Sequence, residues 1–194
     1  MDKYTIVALF GKSGVGKDTT LRMIKSIQSI QDKINIITPI TTRPARDNGK
    51  DGTSYQFVSN EKFNEMIQNA ELVEYTKFNS WQYGTKWDDL KANKINIGIF
   101  NLDSIHELLR KKDIKLFPIM IETEDKLRLI RTLNREDYPN CNEVCRRFLS
   151  DENDYHLKLN FSHITLLNNK GRDLINNRAF MDEFIKSTIN ENNI

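Results

Sequence analysis

One junction constrains this chain more than any other. The apolar run Tyr4–Phe10 leads without interruption into Gly11-Lys12-Ser13-Gly14-Val15-Gly16-Lys17-Asp18-Thr19, and an amphipathic stretch with Leu21, Ile24 and Ile27 follows. A strand that enters a helix through Gly-x4-Gly-Lys has the form of a phosphate cradle. Glycines let successive backbone N–H groups turn inward, the helix N-terminus adds a positive dipole, and the lysine reaches the outer phosphates. The spacing predicts that Gly11, Ser13, Gly14, Val15, Gly16, Lys17, Asp18 and Thr19 line a site for a nucleotide polyphosphate. Position 18 departs from the usual hydroxyl. A carboxylate there is an oxygen ligand for Mg²⁺ or for its waters.

The remaining apolar runs set that junction in a larger frame. Short β-branched segments recur at Ile34–Ile37, Ile95–Phe100, Ile114–Ile121 and His163–Leu167, separated by longer stretches with helical spacing. Ile105, Leu108 and Leu109 mark one later helix, and Ile175, Phe180, Phe184 and Ile185 mark the last. Strands alternating with helices predict an α/β core, a parallel sheet flanked by helices on both faces. Two segments break the rhythm. From Thr41 to about Trp87, alternation such as Tyr55-Gln56-Phe57-Val58 and Leu72-Val73-Glu74-Tyr75 predicts a small inserted sheet, antiparallel or mixed. From Arg128 to about Tyr155 the chain is charged and helical, with a break near Pro139. It reads as a helical hairpin with few apolar anchors, an element suited to move. The predicted division is a core of residues 1–40, 88–126 and 156–194, an insertion at 41–87 and a lid at 127–155.

Composition closes off other classes. The 194 residues carry 29 Lys+Arg against 27 Asp+Glu, a net charge of +2, so a nucleic-acid partner is not expected. No apolar run reaches the length of a membrane-spanning helix, and the opening residues do not form a signal peptide. Cys141 and Cys145 suit reduced thiols in a cytoplasmic protein, and three histidines show no zinc spacing.

Further along come Thr41-Thr42-Arg43-Pro44-Ala45-Arg46, Gly52, Tyr55-Gln56-Phe57-Val58-Ser59, Glu74-Tyr75 and Tyr83-Gly84-Thr85. With the phosphate loop in front, the chain resembles the guanylate kinase family over nearly its whole length. The resemblance implies a kinase that transfers phosphate from ATP, with Mg²⁺, to GMP or dGMP. It gives the acceptor's phosphate to Arg43, Arg46, Tyr55 and Tyr83, since arginine forks and phenolic hydroxyls satisfy a dianion. Glu74 reads the base, because a carboxylate accepts both the N1–H and the 2-amino group of guanine, whereas adenine presents a lone pair at N1. Thr85 and Asp103 complete the acceptor site. Lys17, Arg43, Arg131, Arg135 and Arg147 neutralise charge during transfer, and Asp18 holds the metal.

Several positions leave the family's pattern. Pro39 stands where a serine helps to read guanine O6, with Thr38 or Thr41 as substitutes. Pro44-Ala45 and Asn48-Gly49 alter the arginine loop, Ser54 replaces an acidic residue, and Asn101 replaces the first acid of an Asp-x-Asp pair that ends at Asp103. Two alternatives follow: the same machinery acting on another nucleotide or a sugar phosphate, and a non-catalytic guanylate-kinase-like binding module. A monomer or a homodimer fits either.

Overall fold

The computed structural model describes residues 4–45, 55–78, 80–135 and 139–192. Its strands are β1 (Tyr4–Phe10), β2 (Ile34–Ile36), β3 (Ile40–Thr41), β4 (Gln56–Phe57), β5 (Leu72–Phe78), β6 (Trp81–Lys86), β7 (Ile95–Ile99), β8 (Ile114–Glu122) and β9 (Ile164–Leu167). Its helices are α1 (Lys17–Lys25), α2 (Asn60–Gln68), α3 (Leu102–Leu109), α4 (Asp125–Leu133), α5 (Cys141–Lys158) and α6 (Gly171–Asn192).

The five apolar runs of the sequence become one parallel sheet, ordered β2-β7-β1-β8-β9. β1 runs through its centre, with Val7 opposite Ile97 on one side and Phe117 on the other. Six of its seven residues are buried, as expected of a strand covered on both faces. Alternate side chains feed two cores. Val7 and Leu9 pack with Ile24, Met181 and Ile185 from α1 and α6. Ile6, Ala8 and Phe10 pack with Ile105 and Leu108 of α3, and with Tyr155 and Phe161. The helices therefore cover both faces. Leu109 and Ile175, members of the expected apolar stripes, point outward instead. Helical spacing shows which residues share a face but not where the stripe ends.

A second sheet, ordered β4-β3-β6-β5, occupies the region of the expected insertion. It is mixed: β3–β6 and β5–β6 are antiparallel, and β3–β4 is parallel. Ile40, Phe63, Met66 and Leu72 form its own small core beneath α2. The helical hairpin is also present, as α4 and α5. Asn140 caps α5 by accepting from the Glu143 N–H at 3.1 Å.

Candidate active site

The turn between β1 and α1 forms a cradle whose shape its neighbours fix. Gly14 and Gly16 take positive φ angles of 84° and 95°. A Cβ on Gly14 would lie 2.5 Å from the Arg128 carbonyl oxygen, and one on Gly16 would lie 2.4 Å from Asn168 Nδ2. Only glycine satisfies both the backbone angle and the clearance. Asn168, buried at the end of β9, donates to the Val15 carbonyl at 2.7 Å and Thr123 donates to the same oxygen at 3.2 Å. Lys17 Nζ donates to the Gly11 and Lys12 carbonyls at 2.7 and 3.1 Å. Burial pushes its ammonium down to about 8. Asp151 and Asp18 favour the charge, while Arg135 and Arg128 oppose it. At neutral pH Lys17 remains a cation ready for phosphate oxygens. The donor chemistry also fits Mg²⁺. Asp18 is an exposed oxygen donor in the first turn of α1, of the kind this cation uses beside nucleotide phosphates.

Helix α5 reaches back to this cradle. Asp151 Oδ2 accepts the backbone N–H of Ser13 at 2.6 Å, and Lys12 pairs with Glu152. Arg128, only 1% exposed, meets Asp125 at 2.6 Å, Glu152 at 2.8 Å and Asp151 at 3.5 Å. Its Nε donates to the Ser13 carbonyl at 3.1 Å, and its guanidinium lies 4.6 Å from the Phe148 ring centroid. The spacing Asp151, Asp154, Tyr155 and Lys158 puts four polar side chains on one face of α5, and all four line the central cleft.

That cleft, about 220 Å³, runs from Gly11, Ser13 and Lys17 to Pro39, Tyr55, Glu74 and Tyr83. One end is cationic and aromatic. Arg43 is buried, its guanidinium 5.7 Å from the Tyr55 ring centroid, and the Tyr55 and Tyr83 rings lie 6.0 Å apart. Burial raises the Tyr83 phenol, while Arg43 pulls it back. The other end is a buried carboxylate. Thr85 donates to Glu74 Oε1 at 2.8 Å, and Glu74 Oε2 is enclosed without a hydrogen-bond partner. Burial pushes Glu74 up to about 7; the Ser104 and Thr85 hydroxyls pull it down, Glu107 raises it and Lys111 lowers it. Asp103 lies in the same cleft, paired with Lys158 at 3.1 Å. Thr41 donates to the Gln82 carbonyl at 2.9 Å and accepts from the Arg43 N–H at 3.1 Å, so its hydroxyl serves the loop rather than the base.

The structure thus gathers Lys17, Tyr55, Glu74, Tyr83 and Asp103 around one space, with Arg43 behind Tyr55 and Thr85 behind Glu74. Arg135 lies close enough to influence Lys17, and Arg147 to influence Tyr83 while donating to Glu143 at 2.6 Å. Arg131 turns toward the core, donating to Thr123 Oγ1 at 3.2 Å and to the Asn169 carbonyl at 3.4 Å. Arg46, with Asn48, Gly49, Gly52 and Ser54, lies outside the described residues. No sequence motif singles out Arg128, Asp151, Glu152 or Lys158; the recurrence of Asp151, Asp154 and Lys158, three and four residues apart, is the available signal.

The guanylate kinase family model matches residues 3–177. The chain belongs to the guanylate kinase family. The guanylate kinase of Malacoplasma penetrans (strain HF-2) is 30% identical over 152 residues, covering 75% of this chain and 68% of that one. Other guanylate kinases match over shorter stretches, about two-fifths of either chain. MAGUK p55 subfamily member 7 of Xenopus tropicalis is 32% identical over 136 residues, 67% of this chain and 23% of that protein. Among solved structures, guanylate kinase from Anaplasma phagocytophilum superposes with a TM-score of 0.64 at 17% identity, covering 96% of this chain and 87% of that one. The guanylate kinase fold accounts for both the parallel core and the second sheet.

Proposed function

We propose that this protein phosphorylates GMP or dGMP at the expense of ATP, producing ADP and GDP or dGDP. The observation that carries the reading is a single cleft joining the phosphate cradle to a buried carboxylate, Glu74, which has one oxygen unpartnered. An enclosed acceptor atom beside a pocket costs stability unless a ligand satisfies it, and a guanine edge offers two donors.

In this reading the β- and γ-phosphates of ATP rest on the Gly11–Lys17 backbone, and the acceptor phosphate on Arg43, Tyr55 and Tyr83. An acceptor phosphate oxygen attacks the γ-phosphorus while the bond to the β–γ bridging oxygen breaks, and its electrons leave with ADP. Asp18 would hold Mg²⁺ together with the nucleotide, and the cation would supply charge neutralisation at those phosphates. Lys17 tracks the transferred group. Arg135 and Arg147 approach from the lid at the cradle and the acceptor end respectively, where positive charge stabilises the spreading charge of transfer. The second sheet acts as the acceptor-binding subdomain and the α4–α5 hairpin as the lid. Among the described residues no helix is long and apolar enough to cross a membrane, and a cytoplasmic setting matches the substrates.

The deciding experiment measures ADP release from Mg·ATP with GMP, dGMP, IMP and AMP offered in turn. GMP and dGMP should be the preferred acceptors. A preference for AMP or a pyrimidine nucleotide would reassign the acceptor, and no turnover with any nucleotide would favour a binding module, as the match to a MAGUK protein would then suggest.

A further inference from the structure

The acceptor nucleotide of the proposed reaction has three parts, and two of them have been given partners: Glu74 for the base, and Arg43, Tyr55 and Tyr83 for the phosphate. Glu74 and Tyr83 belong to paired strands, in a register that sets Thr76 opposite Tyr83 and Thr85 opposite Glu74. A sugar joining base to phosphate spans the short distance between them. Next to these strands the cleft is lined by the start of α3 and the last turns of α5. Ser104 Oγ lies 3.5 Å from Thr76 Oγ1, which sets the first turn of α3 against β5 just beyond Glu74.

Asp103 of that turn and Lys158 of α5 both line the cleft. Lys158 is fixed at both ends. Its carbonyl accepts from His106 Nε2 at 2.9 Å, and the His106 ring packs edge-on against Phe161. Its ammonium donates to Asp103 Oδ2 at 3.1 Å and lies 3.5 Å from Asp154 Oδ1, one turn earlier on α5. A lysine in the last turn of a helix ordinarily serves that helix's own carbonyls. This one turns across to α3 instead. The three charged side chains stay part-exposed, held in place without being covered.

An ammonium has three N–H donors, and two of these face carboxylates, which leaves one. Asp103 Oδ1 has no hydrogen-bond partner among the described residues. The pair therefore offers one donor and one acceptor side by side. A phosphate suits this corner poorly, because Asp103 and Asp154 outnumber the single ammonium. A base edge is already met at Glu74. A sugar hydroxyl, which donates and accepts through one oxygen, matches the pair, and both of its bonds would be charge-assisted.

We propose that Asp103 and Lys158 read the hydroxyl edge of the acceptor nucleotide's ribose, with Lys158 as a specificity residue of the site. This rests on the guanine-acceptor reading above.

The test compares binding of GMP and of 2′,3′-dideoxy-GMP to the intact protein by calorimetry near neutral pH, with circular dichroism reporting that each variant is folded. Wild type should favour GMP about tenfold, the scale of one charge-assisted hydrogen bond. Lys158→Met should reduce that ratio to about twofold or less, through weaker GMP binding, with the dideoxy nucleotide nearly unaffected. Asp103→Ala should do the same, and the double variant should add little, because the two side chains act as one unit. Equal losses for both ligands, with the ratio unchanged, would show that the ion pair only ties α5 to α3 and would overturn the proposal. So would wild-type protein that binds both nucleotides alike. Wild-type preference for AMP over GMP would overturn the guanine reading instead, and the hydroxyl ratio would then be read on AMP and 2′,3′-dideoxy-AMP.

Discussion

Asp151 places a carboxylate oxygen 2.6 Å from the backbone nitrogen of Ser13, on one of the N–H groups of the turn between β1 and α1. An anion from the protein's own α5 thus holds a position a nucleotide phosphate would claim. Asp151→Ala should free that donor and remove a negative charge beside a polyanion. ATP binding measured without Mg²⁺ should tighten roughly tenfold, the scale of one charge-assisted hydrogen bond. Asp151→Asn, which keeps an acceptor but not the charge, should fall between; weaker ATP binding in both variants would show that the carboxylate helps to bind the nucleotide.

Lys17 is the cation of the cradle. Lys17→Ala should lower turnover roughly 10²–10³-fold with the fold intact by circular dichroism. Because the free protein's Lys17 titrates near 8, ATP affinity should weaken as the pH rises through 8. Phosphate binding favours the charged form, and above that pH a proton must be taken up to bind.

In the proposed function Arg43 holds the acceptor phosphate. Arg43→Ala should raise the KM for GMP roughly 10- to 100-fold, as expected for the loss of charged hydrogen bonds to a phosphate. Initial rates with either nucleotide varied should show the KM for ATP nearly constant. An equal rise for both would move Arg43 out of the acceptor site.

Glu74 must be ionised to accept two donors, and its pKa is raised to about 7. GMP affinity should therefore fall as pH drops below 7, faster than the phosphate's own titration requires. Glu74→Gln offers one acceptor and one donor at every pH, so its profile should show phosphate titration alone and its preference for GMP over AMP should shrink.

Arg128 is a cation with 1% exposure held by carboxylates that are themselves part-exposed. Arg128→Ala should cost about 3 kcal/mol in a urea unfolding series, because a buried network loses its centre. A loss under about 0.5 kcal/mol would mean that water replaces the guanidinium with little penalty.

The parallel core was legible because each of its strands is a short run rich in apolar residues, and because Gly11 marks where β1 ends and Gly16-Lys17 where α1 begins. That Tyr55, Glu74 and Tyr83 share one cleft was legible through residue types that suit a phosphate and a base edge. The lid was read through its arginines, and period alone does not give phase: Arg128 and Arg131 lie about one turn apart on α4, yet one meets the cradle and the other meets Thr123 and Asn169. The sequence marks Asn101 only as the missing first acid of an Asp-x-Asp pair. Its cap on α3 and its bond to Thr76 depend on a strand 25 residues earlier, a pairing that no local pattern announces.

The 2.5 Å approach that a Cβ at Gly14 would make to the Arg128 carbonyl has a consequence for protein engineering. The glycine is demanded by the backbone of α4 as much as by any phosphate, and the neighbouring Gly16 by Asn168. The six-residue turn is therefore not a portable cassette. Grafted onto another strand–helix junction, it would carry its glycines without the walls that shape them. Kept in place with a redesigned α4, it would need new clearance before it could be asked to hold anything at all.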